Sequence, residues 1–155
     1  MKKTILIIIV LYSLLVVAAG CADKDKSRPG ENTASWNEKS ADVDLTLLSS
    51  TMVYAEVSNM LMTPDKYMGK SVRMSGLYNT SYSSETKTRY HFVVIEDSTA
   101  CCAQGLEFIW SGKHAYPGDY PDKDTKIEIA GVFGSYEELG GTYYYLEVDS
   151  ILELE

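Results

Sequence analysis

From Thr125 to Asp149 the chain reads TKIEIAGVFGSYEELGGTYYYLEVD. In its first part Ile127, Ile129, Gly131 and Phe133 share one face, and Lys126, Glu128 and Ala130 share the other. Tyr144, Leu146 and Val148 then alternate with Tyr143, Tyr145 and Glu147, and Gly140-Gly141 supplies a turn ahead of them. A period of two belongs to a half-buried strand, not to a helix. A glycine pair between two such runs marks a hairpin turn.

The same signal extends upstream. Residues 71–78 place Val72, Met74, Gly76 and Tyr78 opposite Arg73 and Ser75. Residues 89–96 are apolar on both faces, with Tyr90, Phe92 and Val94 against Val93 and Ile95, the pattern of a central strand. Residues 105–111 put Leu106, Phe108 and Trp110 on one side. Ile151 to Leu154 extends the last strand or adds a short edge. Residues 79–88 read as a polar loop. Residues 112–124 read as a loop as well, since Pro117, Gly118 and Pro121 break any helical period. Ahead of the strands, Ala55, Val57, Met60, Leu61 and Met62 have helical spacing. Thr63 is predicted to cap a short turn begun by Pro64 and Asp65, with Gly69 as its left-handed end. Five strands with long connections after the first and third predict an all-β fold with a small helix on its N-terminal side: a five-stranded, OB-like Greek-key barrel.

The stretch from Thr63 to Gly76 carries a resemblance. Pro64, Tyr67, Gly69 and Lys70 spell a Pro-x-x-Tyr-x-Gly-Lys turn leading into a strand that ends in Gly76. It resembles the start of OB-like domains in exported bacterial proteins, and with the strand signals the resemblance covers roughly residues 50–155. It implies a fold and says almost nothing of function.

The N-terminus reads as an address. Lys2 and Lys3 precede an uncharged, mostly apolar run to Ala19, and the small residues Ala18, Ala19 and Gly20 lead to Cys21. This is the pattern of a secretory signal, and the run is short for a membrane span. Val17-Ala18-Ala19-Gly20-Cys21 resembles a bacterial lipobox, with Ala18 where such boxes usually carry Leu. The resemblance implies that Cys21 becomes the acylated N-terminus of an exported protein held on a bacterial membrane. Residues 1–20 are then the signal peptide. Residues 21–44, rich in charge, Pro and Gly around a lone Trp36, form a flexible tether. Residues 45–155 form the barrel domain.

Composition narrows the functions. The 155 residues carry 14 Lys and Arg against 22 Asp and Glu, a formal charge of −8. That balance disfavours nucleic acid, which is gripped by clustered cations. Two histidines leave no room for a multi-histidine metal centre.

Cys101-Cys102 is the unusual chemical feature, and three readings stand open. Neighbouring Cα atoms lie ~3.8 Å apart, so a vicinal disulfide is strained and reducible. A turn lets both thiolates hold a soft metal, with His91 and Glu107 as the nearest further ligands. Alternatively, both cysteines are packing residues. No cofactor other than such a metal is expected. A catalytic pair of His91 with either cysteine would need an activated thiolate and an orienting group, and a strand histidine packed beside Val93 and Ile95 is the expectation. Ser84-Glu85-Thr86-Lys87 falls in a polar loop, away from any helix start. Asp119, Asp122, Asp124 and Glu128 lack the glycine of a calcium loop and read as a solvated acidic cluster.

Twelve tyrosines remain. Tyr90, Trp110, Tyr143 and Tyr145 are the candidate ligand face, because OB-like barrels bind by stacking on that part of the sheet. Most of the other aromatics are expected to fill the core. The expected function is a non-enzymatic binding or assembly module, anchored in the envelope by lipid. Its partner is expected to be another envelope protein, a glycan or a peptide. The alternative is a redox-responsive or metal-binding protein acting through Cys101 and Cys102.

Overall fold

The computed structural model describes residues 41–97, 99 and 101–155. The expected signal peptide, Cys21, Trp36 and the expected tether up to residue 40 lie outside the described residues. The described residues ahead of Leu45 already pair with the barrel. Strand β1 (Val43–Asp44) runs parallel to Val72 and Arg73, and Ser71 donates its backbone N–H to the Asp42 carboxylate at 2.9 Å. A 3₁₀ turn (Leu45–Leu47) follows, capped by the Asp44 carboxylate on the Thr46 N–H, and it buries Leu45.

Helix α1 (Ser50–Met62) buries Val57 and Met60 and lies against the third and fourth strands. Thr63 does not cap the next turn with its side chain. Its hydroxyl donates back to the Asn59 carbonyl at 2.8 Å, and the 3₁₀ turn Pro64–Lys66 starts without it. The Tyr67 hydroxyl ties this turn to α1, accepting from Asn59 and donating to Glu56, both at 2.6 Å. Gly69 has φ +75, as its terminator role requires.

Five long strands close a ring: β2 (Ser71–Tyr82), β3 (Arg89–Glu96), β4 (Ala103–Trp110), β5 (Lys126–Glu138) and β6 (Gly141–Glu153). The order is β2-β3-β4-β6-β5 and back to β2, with β4 and β6 parallel. Three consecutive antiparallel strands with the next returning beside the first make a Greek key. The all-β barrel with a small N-terminal-side helix is therefore present. Inward residues of every strand meet in one core, from Val72, Met74 and Tyr78 through Val93, Leu106 and Phe108 to Ile129, Phe133 and Leu146.

Three expectations change. The polar residues Asn79–Tyr82 extend β2, because they pair with Arg89–Phe92 of β3. Strand β5 runs on past Phe133 to Glu138, and the two-residue turn is Leu139-Gly140, not Gly140-Gly141. Both turn residues have positive φ, +49 and +80, as a primed hairpin turn demands. Glu128 leaves the acidic cluster: it is buried in β5 and accepts from Arg73 Nη2 at 2.6 Å. Residues 112–124 contain no helix, as the prolines predict.

Two glycines let the ring curl. Gly76 sits where β2 hands over from β5 to β3, and a Cβ there would lie 2.5 Å from the Val94 carbonyl oxygen. Gly131 sits at the register shift between β5 and β6, and a Cβ there would lie 2.3 Å from the Glu147 carbonyl oxygen. Among the described residues no helix is long and apolar enough to cross a membrane.

Candidate functional site

Alternation aims the outer face. Val93 and Ile95 of β3 and Leu106 and Phe108 of β4 are buried, so Tyr90, Phe92 and Glu107 face outward. Glu107 lies opposite Phe92 on one side and Tyr145 on the other. Across the hairpin Tyr136 faces Tyr143, with rings stacked at 5.6 Å between centroids. These side chains floor a groove of two adjoining compartments, about 340 and 260 Å³, which share Tyr90, Glu107, Tyr136 and Glu138. The β2–β3 loop borders it with Ser83 and Thr86, and the β5–β6 turn with Leu139.

Of the four aromatics expected on the ligand face, Tyr90 and Tyr143 line the groove. Tyr145 stands behind Tyr136 at 5.9 Å. Trp110 belongs to the opposite alternation and reaches only the rim. One face of its indole is covered by His114 at 3.7 Å, and its Nε1–H donates to the Asp149 carbonyl at 3.1 Å.

Two carboxylates give the groove its chemistry. Tyr136 donates its hydroxyl to Glu107 at 2.9 Å, and Tyr90 donates to Glu138. Burial holds the Glu107 carboxyl above its usual range, against the pull of the Tyr136 donor, and the Glu138 charge adds to the rise. The Tyr136 phenol is pushed up by burial and then by its bond to Glu107. The Tyr90 phenol is pushed up first by its bond to Glu138. Among the described residues neither Glu107 nor Glu138 has a basic partner, since the ion pairs there belong to Arg73. Arg89, at the rim, lies over the Tyr116 ring at 4.2 Å instead.

His91 and Glu107 do not join the cysteines. Glu96 pairs with Ala103 beside Cys102, whereas His91 pairs with Phe108, five residues along β3. At the usual strand rise that is about 17 Å. His91 faces inward, stacked on Tyr120 at 4.0 Å, with Nδ1 2.7 Å from the Tyr78 hydroxyl. Burial, then the Arg89 charge, lowers its pKa to about 4. The imidazole is thus neutral at pH 7 and has a packing role. The cysteines are free thiols in the β3–β4 turn, with Sγ atoms 3.5 Å apart and Asp97 beside them.

The His91 shift predicts a pH dependence. The folded pKa lies below the unfolded value of ~6.5, so protons favour the unfolded chain. Stability is complete above pH 6.5 and falls as the pH drops from 6.5 towards 4. The full shift is worth ~3 kcal/mol, and partial solvation of the ring reduces that to about 2 kcal/mol. In urea titrations His91→Gln should remove this part of the acid sensitivity while keeping an acceptor for Tyr78. An unchanged difference between pH 7 and pH 4.5 would assign the loss to other groups.

Tyr136, Glu138 and Asp97 were not singled out from the sequence. Once the turn is placed at Leu139-Gly140, matched strand lengths put Tyr136 opposite Tyr143, so the hairpin held a usable signal. Asp97 precedes the turn and carried none. No protein-family model matches the chain, and no curated protein matches it either.

Proposed function

We propose that the barrel is a non-enzymatic binding module of a bacterial cell envelope, lipid-anchored through Cys21 on the tether of residues 21–44. Its groove takes an extended peptide segment of another envelope protein, with a Lys or Arg side chain seated among Tyr90, Glu107, Tyr136 and Glu138. The observation that carries this reading is a pair of carboxylates that have no basic partner among the described residues, set in an aromatic groove. Aromatic faces attract a cation's charge, and the two carboxylates accept its N–H groups. OB-like barrels bind ligands on this part of the sheet, which supports the choice of face. An overall acidic chain also suits a basic partner.

Immobilised peptides of basic, neutral and acidic sequence, together with cell-wall glycans, test the ligand. The full chain in detergent should be retained by basic peptides and released by salt. Glu107→Gln should weaken retention at least tenfold, since charge-assisted bonds contribute ~1.5–3 kcal/mol. Equal retention of glycans or acidic peptides would remove the reading.

Anchoring has its own test. Cys21→Ala should leave an unprocessed precursor that takes up no labelled fatty acid. Labelling at the wild-type level in that variant would rule out the lipid anchor.

A further inference from the structure

The β3–β4 turn carries a second cluster, on the side of the barrel away from the groove's carboxylates along β3 and β4. Asp97, Cys101 and Cys102 bring one carboxylate oxygen and two sulfurs within 4.8 Å of one another. Cys101 Sγ lies 3.4 Å from Asp97 Oδ2 and 3.5 Å from Cys102 Sγ.

These separations match a chelate. A tetrahedral ion with metal–sulfur bonds of ~2.3 Å and a metal–oxygen bond of ~2.0–2.2 Å sets its sulfurs about 3.8 Å apart and sulfur and oxygen about 3.5 Å apart. Along the two edges that meet at Cys101 Sγ, the ligand atoms need move only a few tenths of an ångström. Adjacent strand residues would point their sulfurs to opposite faces, but these two lie in a turn, where both turn to the same side. The turn is held from within: the Asp97 N–H donates to the Cys102 carbonyl at 3.0 Å, and Asp97 Oδ1 accepts from the Cys101 N–H at 3.1 Å. Asp97 Oδ2 lies 3.4 Å from the Cys101 sulfur and also accepts from the Thr99 hydroxyl at 3.1 Å, a bond that leaves it a further lone pair for an ion. Both cysteines are exposed, so an ion can reach them and a fourth position is left for water.

We propose that Asp97, Cys101 and Cys102 form a site for a thiophilic cation, Zn²⁺ or a softer ion of the Cd²⁺ or Cu⁺ type. Two thiolates select such ions over Mg²⁺ and Ca²⁺, which take oxygen ligands. Binding releases two thiol protons to solvent and involves no change of oxidation state. The third ligand is Asp97, in place of the His91 or Glu107 expected from sequence. The site is independent of the groove.

The test uses the full chain in detergent under a phosphine reductant, with Cys21→Ser as background so that a third thiol cannot contribute. Cd²⁺ is the probe, read by its thiolate charge-transfer absorption. The site requires saturation at one ion per chain. Cys101→Ser and Cys102→Ser, alone or together, should lower affinity at least a hundredfold, and Asp97→Asn about tenfold. Both cysteines are exposed and Asp97 is half-buried, all in the β3–β4 turn, so circular dichroism should show the barrel intact in every variant. An absorption change that survives the double serine variant would overturn the site. An Asp97→Asn titration identical to the background would overturn the three-ligand assignment.

Discussion

Replacing Gly131 by alanine is expected to cost the barrel at least about 3 kcal/mol, the upper part of the range for overpacking. The added carbon would sit 2.3 Å from the Glu147 carbonyl oxygen, 2.7 Å from Val148 Cγ1 and 2.9 Å from the Glu147 carbonyl carbon. Two of these atoms are backbone of β6, so no rotamer change relieves the contact. Strand β5 would have to leave β6 at Val148 or β2 at Val72, both of which pair with Gly131. A domain of this size has ~5–15 kcal/mol in total, so the loss is a large fraction of it. Gly140→Ala is the comparison. Its φ is +80 but nothing lies within 4 Å of the added carbon, so only backbone strain of about 1 kcal/mol applies. Urea midpoints for the two variants should differ strongly and in this order. Equal midpoints would mean that the β5–β6 junction yields more easily than its spacing indicates.

Phe133→Ala is expected to cost about 3–5 kcal/mol, the usual range for truncating a buried aromatic ring. Phe133 is 1% exposed. Its ring meets Tyr67 edge-on at 6.3 Å and stacks on Tyr144 at 5.8 Å. Its backbone also receives the Gly69 N–H and donates to the Lys70 carbonyl, each at 2.9 Å, so it fastens the turn before β2 to β5. Losing the ring leaves a cavity between two tyrosines that are themselves fixed, Tyr67 through Glu56 and Asn59. Thermal unfolding with near-ultraviolet dichroism should show the loss in both midpoint and tyrosine signal. A cost below 1 kcal/mol would show that Tyr67 and Tyr144 collapse into the space.

What could be read from the chain follows the period of two. Strands with one buried face were legible by alternation, Val72, Met74 and Tyr78 in β2 and Ile127, Ile129 and Phe133 in β5, and β3 by its apolar run. The rest depended on partners that composition does not reveal. Asn79 to Tyr82 look like loop residues, yet they are strand because β3 lies beside them. Gly134 to Glu138 carry no apolar alternation, yet the hairpin continues through them. The site was half legible for the same reason. Tyr90 and Tyr143 announce themselves as outward aromatics, whereas Tyr136 and Glu138 acquire meaning only when β5 is carried to its full length. His91 is the histidine nearest the cysteines along the chain. The ladder register separates them.

The ring is not equally strong all round. Strands β5 and β6 share a ladder that spans nearly their full lengths and is joined by a tight turn, so it forms locally. The parallel pairing of β4 with β6 is only Glu107 to Trp110 against Tyr145 to Val148, and it joins residues 38 apart in the chain. With four pairs against six to eleven in the ring's other ladders, this seam is the shortest of the ring and adds the fewest backbone bonds. Glu107 and Tyr145 stand on its two lips, with Tyr136 bonded across to Glu107. The shortest closure of the ring and the floor of the groove meet at Glu107. A ligand that bridges the lips acts as a clasp and stabilises the whole domain by its preference for the closed ring. One that wedges them apart loosens a domain whose remaining strands stay paired.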